Sequence, residues 1–540
     1  MSPDVLVAIE MVEVSEGAAL ATEVIRVADG RPHPVLLVRT PYGRAGLRQG
    51  LDPVALARTG WAVVLQDIRG RWDSGGSYRP FHQDTPDGAD VIAWCRAQPW
   101  CNGSVVMQGA SYDGVTAWLA ASTLPDGLAA IAPVVSTAAI YDPLITSDGT
   151  LNLGLLANWC LGHVTVGNNG TAPDVAERAA DALGDWPQTV ARDDVVDLIA
   201  ECFPPAAEWF TSWRTGDRTP AWQEPLAAGT PLRSEGLPVY HLTGWFDTFV
   251  EGALAAYCTL LTTAAAASQR LVVGPWSHAA VFSTSCGDVD FGQRASGWDR
   301  FPQEQQTFLR AAAAGGAPEA GASIWVIGDE DWTELEQWPP PTTMQVMFAA
   351  LDGDQARWQA SAAMPAGALT WRHDPQHPVP TVGGRTLHPV PPAPAGPRDR
   401  AALSGRPDVV VISTEVLERD RTVMGEAYLD LTLTSETAEV DVHAYLVDVD
   451  QAGRAIGLVG AAHRLSVVPG KPERVRVGLG TIAARVAAGH RLAVQLASSD
   501  FPAHDVAREP GRRTISITPA QPLTLSLPIW DGTSGRRISP

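Results

Sequence analysis

The sequence predicts a mostly parallel α/β domain, interrupted by a helical insertion and followed by an all-β sandwich or jelly roll. Three observations carry this. Short apolar runs alternate with helical stretches over residues 1–137 and again over 231–343, the pattern of parallel strands covered on both faces. Between them, residues 138–230 lose strand signals and gain helical periodicity, as a cap over the sheet would. From about residue 344 to 540, short alternating strands separated by Gly, Asp and Pro take over.

In the first part, Val35–Arg39 is a short apolar run that ends at Thr40-Pro41-Tyr42-Gly43. Leu56–Gly60 closes a helix, and Trp61–Asp67 reads as a second buried strand. Asp87–Ala97 has a helical apolar side of Val91, Ile92 and Trp94. Val105-Val106 leads the next strand, and Ala129–Val134 is another. In the insertion, Pro173–Leu183 and Asp193–Cys202 are helical, and Trp159, Trp186, Trp209, Trp213 and Trp222 crowd together as its expected core. The α/β pattern resumes with strands at Pro238–Thr243, Leu271–Gly274 and Ser323–Ile327, and helices at Glu251–Thr262 and Phe301–Ala313. The last part offers strands at Val409–Ile412, Met424–Leu433, Val440–Val447, Arg474–Leu479, Leu492–Leu496, Thr514–Ile517 and Leu523–Leu527. His388–Pro397, HPVPPAPAGP, is a stiff extended connection.

Bulk properties narrow the function classes. A chain of 540 residues is expected to form two or three domains. Its 39 basic against 60 acidic residues, net −21, disfavour nucleic acid and anionic membranes as partners. The N-terminus lacks the basic and apolar regions of a signal peptide, and no apolar run could span a bilayer. Six cysteines without C-x-x-C spacing read as reduced thiols of a cytoplasmic protein, with no metal site and no cofactor.

The stretch Ser104–Ser122, SVVMQGASYDGVTAWLAAS, has the layout strand, sharp turn, helix, with Ser111 at the turn. That is the geometry of a nucleophile elbow, with Gly109 and Gly114 as the small neighbours. A Gly-Ser loop between a strand and a helix reads the same locally. The wider pattern is more telling. Ser111, Asp247 and His278 each follow an apolar strand, and strand ends of a parallel sheet share one edge. Their order, Ser, acid, His, is that of α/β-hydrolases. His278 would take the proton of Ser111, and Asp247 would orient the imidazole. Asp247 as a helix cap and His278 as an ordinary loop histidine are the structural alternatives. His241, the nearest rival base, lies mid-strand. An oxyanion would meet the N–H of Tyr112 and, after an early strand, either a donating or a merely packed Tyr42.

These strings resemble the CocE/NonD hydrolases, which include cocaine esterases, α-amino-acid ester hydrolases, β-lactam acylases and X-Pro dipeptidyl-peptidases. The resemblance spans nearly the whole chain: RTPYGR (39–44), QDIRGRWDSGG (66–76), WCNGSVVMQGASYDGVTAW (100–118), GWFDTFVEG (244–252), LVVGPWSH (271–278), STEVL (413–417) and LASSDFP (496–502). It implies an α/β-hydrolase domain with a helical cap and a C-terminal jelly roll. It implies a triad of Ser111, Asp247 and His278, and an oxyanion hole of the Tyr42 hydroxyl and Tyr112 N–H. It suggests Trp159 and Phe249 as acyl-pocket walls, Leu387 and His388 as an edge from the β-domain, and dimers or monomers alike. Asp67 and Arg69 are read as an ion pair bracing the oxyanion loop. Three features depart from the cocaine-esterase branch: the cap after Tyr141 supplies no aromatic at the place where that branch has one, the extreme C-terminus is short against the family, and Asp113 fills the variable elbow position, either facing the site or capping the helix.

The expected function is cleavage of small-molecule carboxylic esters through an acyl-enzyme. An α-amino-acid ester hydrolase, β-lactam acylase or X-Pro peptidase would add carboxylates for a substrate ammonium, with Asp142 and Asp148 as candidates. Acyl transfer or cyclisation on the same scaffold is a third reading, and a non-catalytic binding protein has no need of all three groups.

Overall fold

The structure is a computed structural model describing residues 4–164, 173–184, 195–202, 204–216, 224–352, 355–361, 366–387, 395–533 and 535–537. An 11-stranded sheet organises the first part. Its centre is parallel, in the order Ala62–Asp67, His33–Thr40, Cys101–Ala110, Leu128–Val134, Val239–Phe246, Gln269–Ser277 and Gly321–Val326. Alternate residues serve opposite faces, as a two-residue repeat demands. Leu36 and Val38 pack with Phe308 and Leu309 of helix Phe301–Ala313. Val35 and Leu37 pack with Val91, Ile92 and Trp118 from helices Asp84–Ala97 and Tyr112–Ala121.

The edges of this sheet were not read from the sequence. Val5–Val14 and Ala18–Val27 form an antiparallel hairpin at one end. At the other, Arg536–Arg537 returns from the end of the chain to pair with Asp331–Leu335, so the last residues leave the β-rich unit. Among the described residues of the insertion are helices Leu153–Asn158, Pro173–Gly184, Val195–Cys202 and Pro204–Arg214. Trp186 and Trp222 lie outside the described residues.

The C-terminal unit is all β. Its 11-stranded sheet runs Gly367–His373, Gly511–Ile517, Arg421–Ser435, Thr524–Ile529, Thr343–Asp352, Gln355–Gln359, Val410–Thr414, Arg491–Ala497, Glu439–Val449 and Ala455–Ser466, with Glu473–Val486 along Arg421–Ser435. Four of these strands (Thr343–Asp352, Gln355–Gln359, Gly367–His373 and Ala455–Ser466) gave no sequence signal. The two units share one core, in which Trp245, Trp276, Trp325 and Trp338 of the first unit join Leu479, Ile482, Ala483 and Leu527 of the second. A separate cluster joins the cap to the elbow helix through Leu144, Leu155, Leu156, Trp213, Tyr112 and Phe249. Cys95, Cys101, Cys258 and Cys286 are in no disulfide. No described helix is long and apolar enough to cross a membrane.

Candidate active site

Strand Cys101–Ala110 turns at Ser111 into helix Tyr112–Ala121. Ser111 has φ 57° and ψ −125°, outside the allowed regions of most residues. The turn closes only over glycine. A Cβ on Gly109 would lie 2.4 Å from the carbonyl carbon of Asp113, and one on Gly114 would lie 2.6 Å from Ser136 Cβ.

Three strand ends bring their side chains together. His278 Nε2 is 3.0 Å from Ser111 Oγ, and His278 Nδ1 is 2.8 Å from Asp247 Oδ1. Asp247 is fully buried, and its other oxygen accepts the Thr243 hydroxyl at 2.8 Å. The network calls for the proton on Nδ1, leaving the Nε2 lone pair toward Ser111. Phe249 sets its ring edge-on to the imidazole, centroids 5.1 Å apart. His241 is buried mid-strand beside Gln269, and burial pushes it down to about 4.

Tyr42, just past strand His33–Thr40, lines the same cavity as Ser111, and its hydroxyl oxygen accepts the Trp159 indole N–H at 3.2 Å. Burial holds this phenol well above its ordinary value, so it stays a donor. The Tyr112 N–H sits at the first helical position, where no intrahelical acceptor exists and the helix dipole favours negative charge. The Tyr112 ring is fixed from behind: its hydroxyl donates to Asp84 at 3.0 Å and accepts the Phe81 N–H at 2.8 Å. Burial raises the Asp84 carboxyl to about 6.

A cavity of about 310 Å³ opens on Ser111. Its aromatic lining is Tyr42, Phe81, Tyr112, Trp159, Trp213 and Phe249, and Leu144 and Leu387 add aliphatic wall. Trp159 and Tyr112 stack nearly parallel at 6.0 Å. Trp159, Phe249 and Leu387 thus stand around the nucleophile; His388 lies outside the described residues. Where the cap lacks an aromatic after Tyr141, Leu144 lines the cavity. Phe81, which sequence reasoning did not single out, and Trp213, expected only in the cap's own core, add aromatic surface.

Other expectations are corrected. Asp67 and Arg69 do not pair. The chain leaves its strand at Asp67 and turns, sending the two side chains to different neighbours. Asp67 binds the backbone N–H and guanidinium of Arg44, in the helix after Tyr42. Arg69 binds Asp87 of helix Asp84–Ala97 in a fork, with 2.5 and 3.0 Å contacts. Besides Asp67, Arg71, which the sequence reading passed over, braces the loop that carries Tyr42. It is buried, donates to Pro41 O and His163 O at 3.0 Å each, and lies against the Tyr78 ring. Asp142 and Asp148 are away from the Ser111 cavity; Asp142 accepts the Thr146 hydroxyl, and Asp148 pairs with His463 of the β-rich unit. Asp113 faces neither Ser111 nor a helix cap. It lines a second cavity of about 760 Å³ behind Tyr42, where burial raises it to about 8.

This architecture has known relatives. Residues 16–280 match the X-Pro dipeptidyl-peptidase (S15) family, and 312–524 match the X-Pro dipeptidyl-peptidase C-terminal non-catalytic domain. Cocaine esterase of Rhodococcus sp. (strain MB1 Bresler) is 31% identical, over 92% of this chain and 91% of its own. A putative serine esterase of Mycobacterium bovis is 23% identical over 82% of this chain and 79% of its own. Among solved structures, an α-amino acid ester hydrolase superposes with a TM-score of 0.78 at 22% identity, covering 98% of this chain and 97% of its own. An archaeal aminopeptidase (Thaumarchaeota archaeon) gives 0.80 at 20%, covering 97% and 96%. The chain belongs to the cocaine-esterase (CocE/NonD) family of serine hydrolases.

Proposed function

We propose that this protein hydrolyses carboxylic esters of small molecules with an uncharged, apolar or aromatic acyl group, on an α/β-hydrolase fold buttressed by a jelly roll. The single observation behind this is the continuous hydrogen-bonded line Asp247–His278–Ser111 at an apolar cavity that Tyr42 also lines.

His278 Nε2 takes the Ser111 proton as Oγ attacks the ester carbonyl. Asp247 keeps the ring in register and stabilises the imidazolium. The new oxyanion receives the Tyr42 O–H and the Tyr112 N–H. The intermediate collapses, His278 returns the proton to the departing alkoxide, and the alcohol leaves. Water, deprotonated by the same nitrogen, then attacks the acyl-enzyme and frees Ser111 with the carboxylic acid.

Among its described lining residues the Ser111 cavity carries no carboxylate. This argues against substrates that need an ammonium anchor, as amino-acyl esters do. Turnover of amino-acyl esters and their N-acetyl forms should therefore differ little, or favour the acetylated form. With a p-nitrophenyl ester, stopped-flow should show a burst of nitrophenolate in the wild type and none in Ser111→Ala. An unchanged rate in that variant would falsify the reading. Added alcohol acceptors would reveal acyl transfer as ester product.

A further inference from the structure

Far from Ser111 in sequence, His443, Asp500 and His504 converge inside the β-rich unit. One ring nitrogen from each histidine and one carboxylate oxygen all lie within 4.8 Å of one another. His443 sits on strand Glu439–Val449 opposite Ala497, and the segment carrying Asp500 and His504 follows strand Arg491–Ala497. His443 is 2% exposed, as is Asp500. Neither ring nitrogen of His443 has a hydrogen-bond partner among the described residues, nor has Asp500 Oδ1 or His504 Nδ1. Buried polar atoms without partners are costly and uncommon. Here all three residues that carry such atoms bring one ligand atom each into one small space.

We propose that these three residues bind a single divalent transition-metal ion of the zinc class. Two imidazoles and one carboxylate form a mixed nitrogen–oxygen set that suits zinc or its neighbours and not calcium or magnesium, which take oxygen ligands. The surroundings are those of a built site. Tyr445 donates its hydroxyl to Asp500 Oδ2 at 2.7 Å, which orients the carboxylate and leaves Oδ1 to the ion. Arg400 stacks on that tyrosine ring at 3.6 Å. The 500–504 backbone is pinned to residues 379–381 by Phe501 N–H to Val379 O at 2.9 Å and Thr381 N–H to Phe501 O at 2.8 Å.

An entry path exists. His504 lines a cavity of about 340 Å³ between the insertion and the β-rich unit. Asp142, Asp148, Glu251 and Glu426 share that lining with Arg385 and His463, so acidic groups outnumber the guanidinium and draw cations in. Three protein ligands leave a fourth position for water.

The ion would tie the strand of His443 to a segment that also holds the insertion. Ala503 O accepts the Gly154 N–H at 3.1 Å, and the Asp505 N–H donates to Leu151 O at 2.9 Å. Metal binding should therefore raise the unfolding temperature.

The test uses the full-length protein without a polyhistidine tag, stripped by chelator and dialysed. Titration with Co²⁺ should give the visible absorption of a tetrahedral nitrogen–oxygen site, saturate at about one ion per chain, and be displaced by Zn²⁺. His504→Ala, at the cavity wall, and the near-isosteric Asp500→Asn should each weaken binding by at least about 100-fold and abolish the Zn²⁺-induced rise in Tm. His443→Leu should do the same if it folds; circular dichroism decides that, and the other two variants carry the test without it. Absence of Co²⁺ or Zn²⁺ binding by the wild type, or equal binding by His504→Ala and Asp500→Asn, would overturn the proposal. So would a crystal grown in Zn²⁺ with a water between the three residues.

Discussion

Trp159 donates its indole N–H to the hydroxyl oxygen of Tyr42 at 3.2 Å. A tryptophan that the resemblance suggests only as a wall thus also fills one lone pair of the tyrosine proposed for the oxyanion hole. With that lone pair occupied, the Tyr42 O–H remains free to donate into the cavity it shares with Ser111, where the proposed oxyanion forms. Trp159→Phe keeps an aromatic ring against Tyr112 and Phe81 but loses the donor. One neutral hydrogen bond is worth about 1 kcal/mol, so kcat should fall roughly five- to tenfold with KM little changed. Trp159→Ala should raise KM as well, because the wall goes too. Steady-state kinetics on one p-nitrophenyl ester separate the two; a Trp159→Phe enzyme with wild-type kcat would show that the bond orients nothing.

Tyr42→Phe removes the donor itself. Loss of one oxyanion donor costs about 10²–10³ in kcat. KM should move far less, because the hydroxyl acts on charge that appears only after attack. Phe at this position still packs against Tyr112, so the thermal midpoint should stay close to wild type. A Tyr42→Phe enzyme within threefold of wild-type kcat would assign the oxyanion to other donors.

Asp113 gives the site an alkaline limit. It lies behind Tyr42 with Oδ1 unpartnered among the described residues, its carboxyl raised to about 8 by burial. Below that pH it is neutral. Above it, a negative charge appears beside Tyr42 and opposes the oxyanion. The kcat/KM of the wild type should fall above about pH 8 with the slope of one ionisation, about tenfold per pH unit. Asp113→Asn should extend the plateau. Stability follows the same group. Its ordinary value is 3.8 and its folded value about 8, so in that window the folded state holds a proton the unfolded state has lost. The contribution of Asp113 to stability must then decline as pH rises from about 4 to about 8. Thermal melts of Asp113→Asn should lack that part of the decline.

Most of the reacting constellation was legible because each member follows a strand that announces itself. Val35–Arg39, Val105-Val106, Pro238–Thr243 and Leu271–Gly274 are apolar runs with nothing else to be, and the residue after each had to reach one edge. Direction is what a string does not give. Asp67 and Arg69 are near neighbours in sequence, yet a turn starts between them and each finds its partner in a different helix. Arg71 was missed for the same reason: a buried guanidinium holding two carbonyls looks like a loop arginine until the loop is folded. Phe81 and Trp213 reach the cavity from outside the strings that carry the resemblance. The hairpin Val5–Val14 and Ala18–Val27 hid because its first strand is largely exposed, so apolar and polar residues do not sort between its faces.

Arg385 of the β-rich unit holds both sides of the loop that carries Asp247. It donates to Trp245 O at 2.9 Å, Thr481 O at 2.5 Å and Glu251 Oε1 at 2.5 Å. Glu251 in turn accepts the Thr481 N–H at 2.6 Å and hydroxyl at 2.8 Å. Trp245 precedes Asp247, and Glu251 lies in the first turn of the helix after it. Arg385→Leu leaves two carbonyls and a carboxylate to find other partners. A fully buried pair broken on one side costs about 3–5 kcal/mol; with the Glu251 side chain 38% exposed, water screens the remainder and roughly 1–2 kcal/mol is expected. The kcat should fall while KM holds, since the loop positions Asp247 and not the acyl group. Acid distinguishes this from a packing defect. Burial works to raise the Glu251 carboxyl, but Arg385 and the Thr481 hydrogen bonds outweigh it and hold it below its usual value. A lowered carboxyl contributes stability above its unfolded value of 4.5, and that contribution is lost as pH falls through the folded value. The gap in Tm between wild type and Arg385→Leu should therefore be wide at neutral pH and narrow on acidification through and below the ordinary carboxylate range. A gap that stays constant across that range would mean the arginine acts through its packing alone.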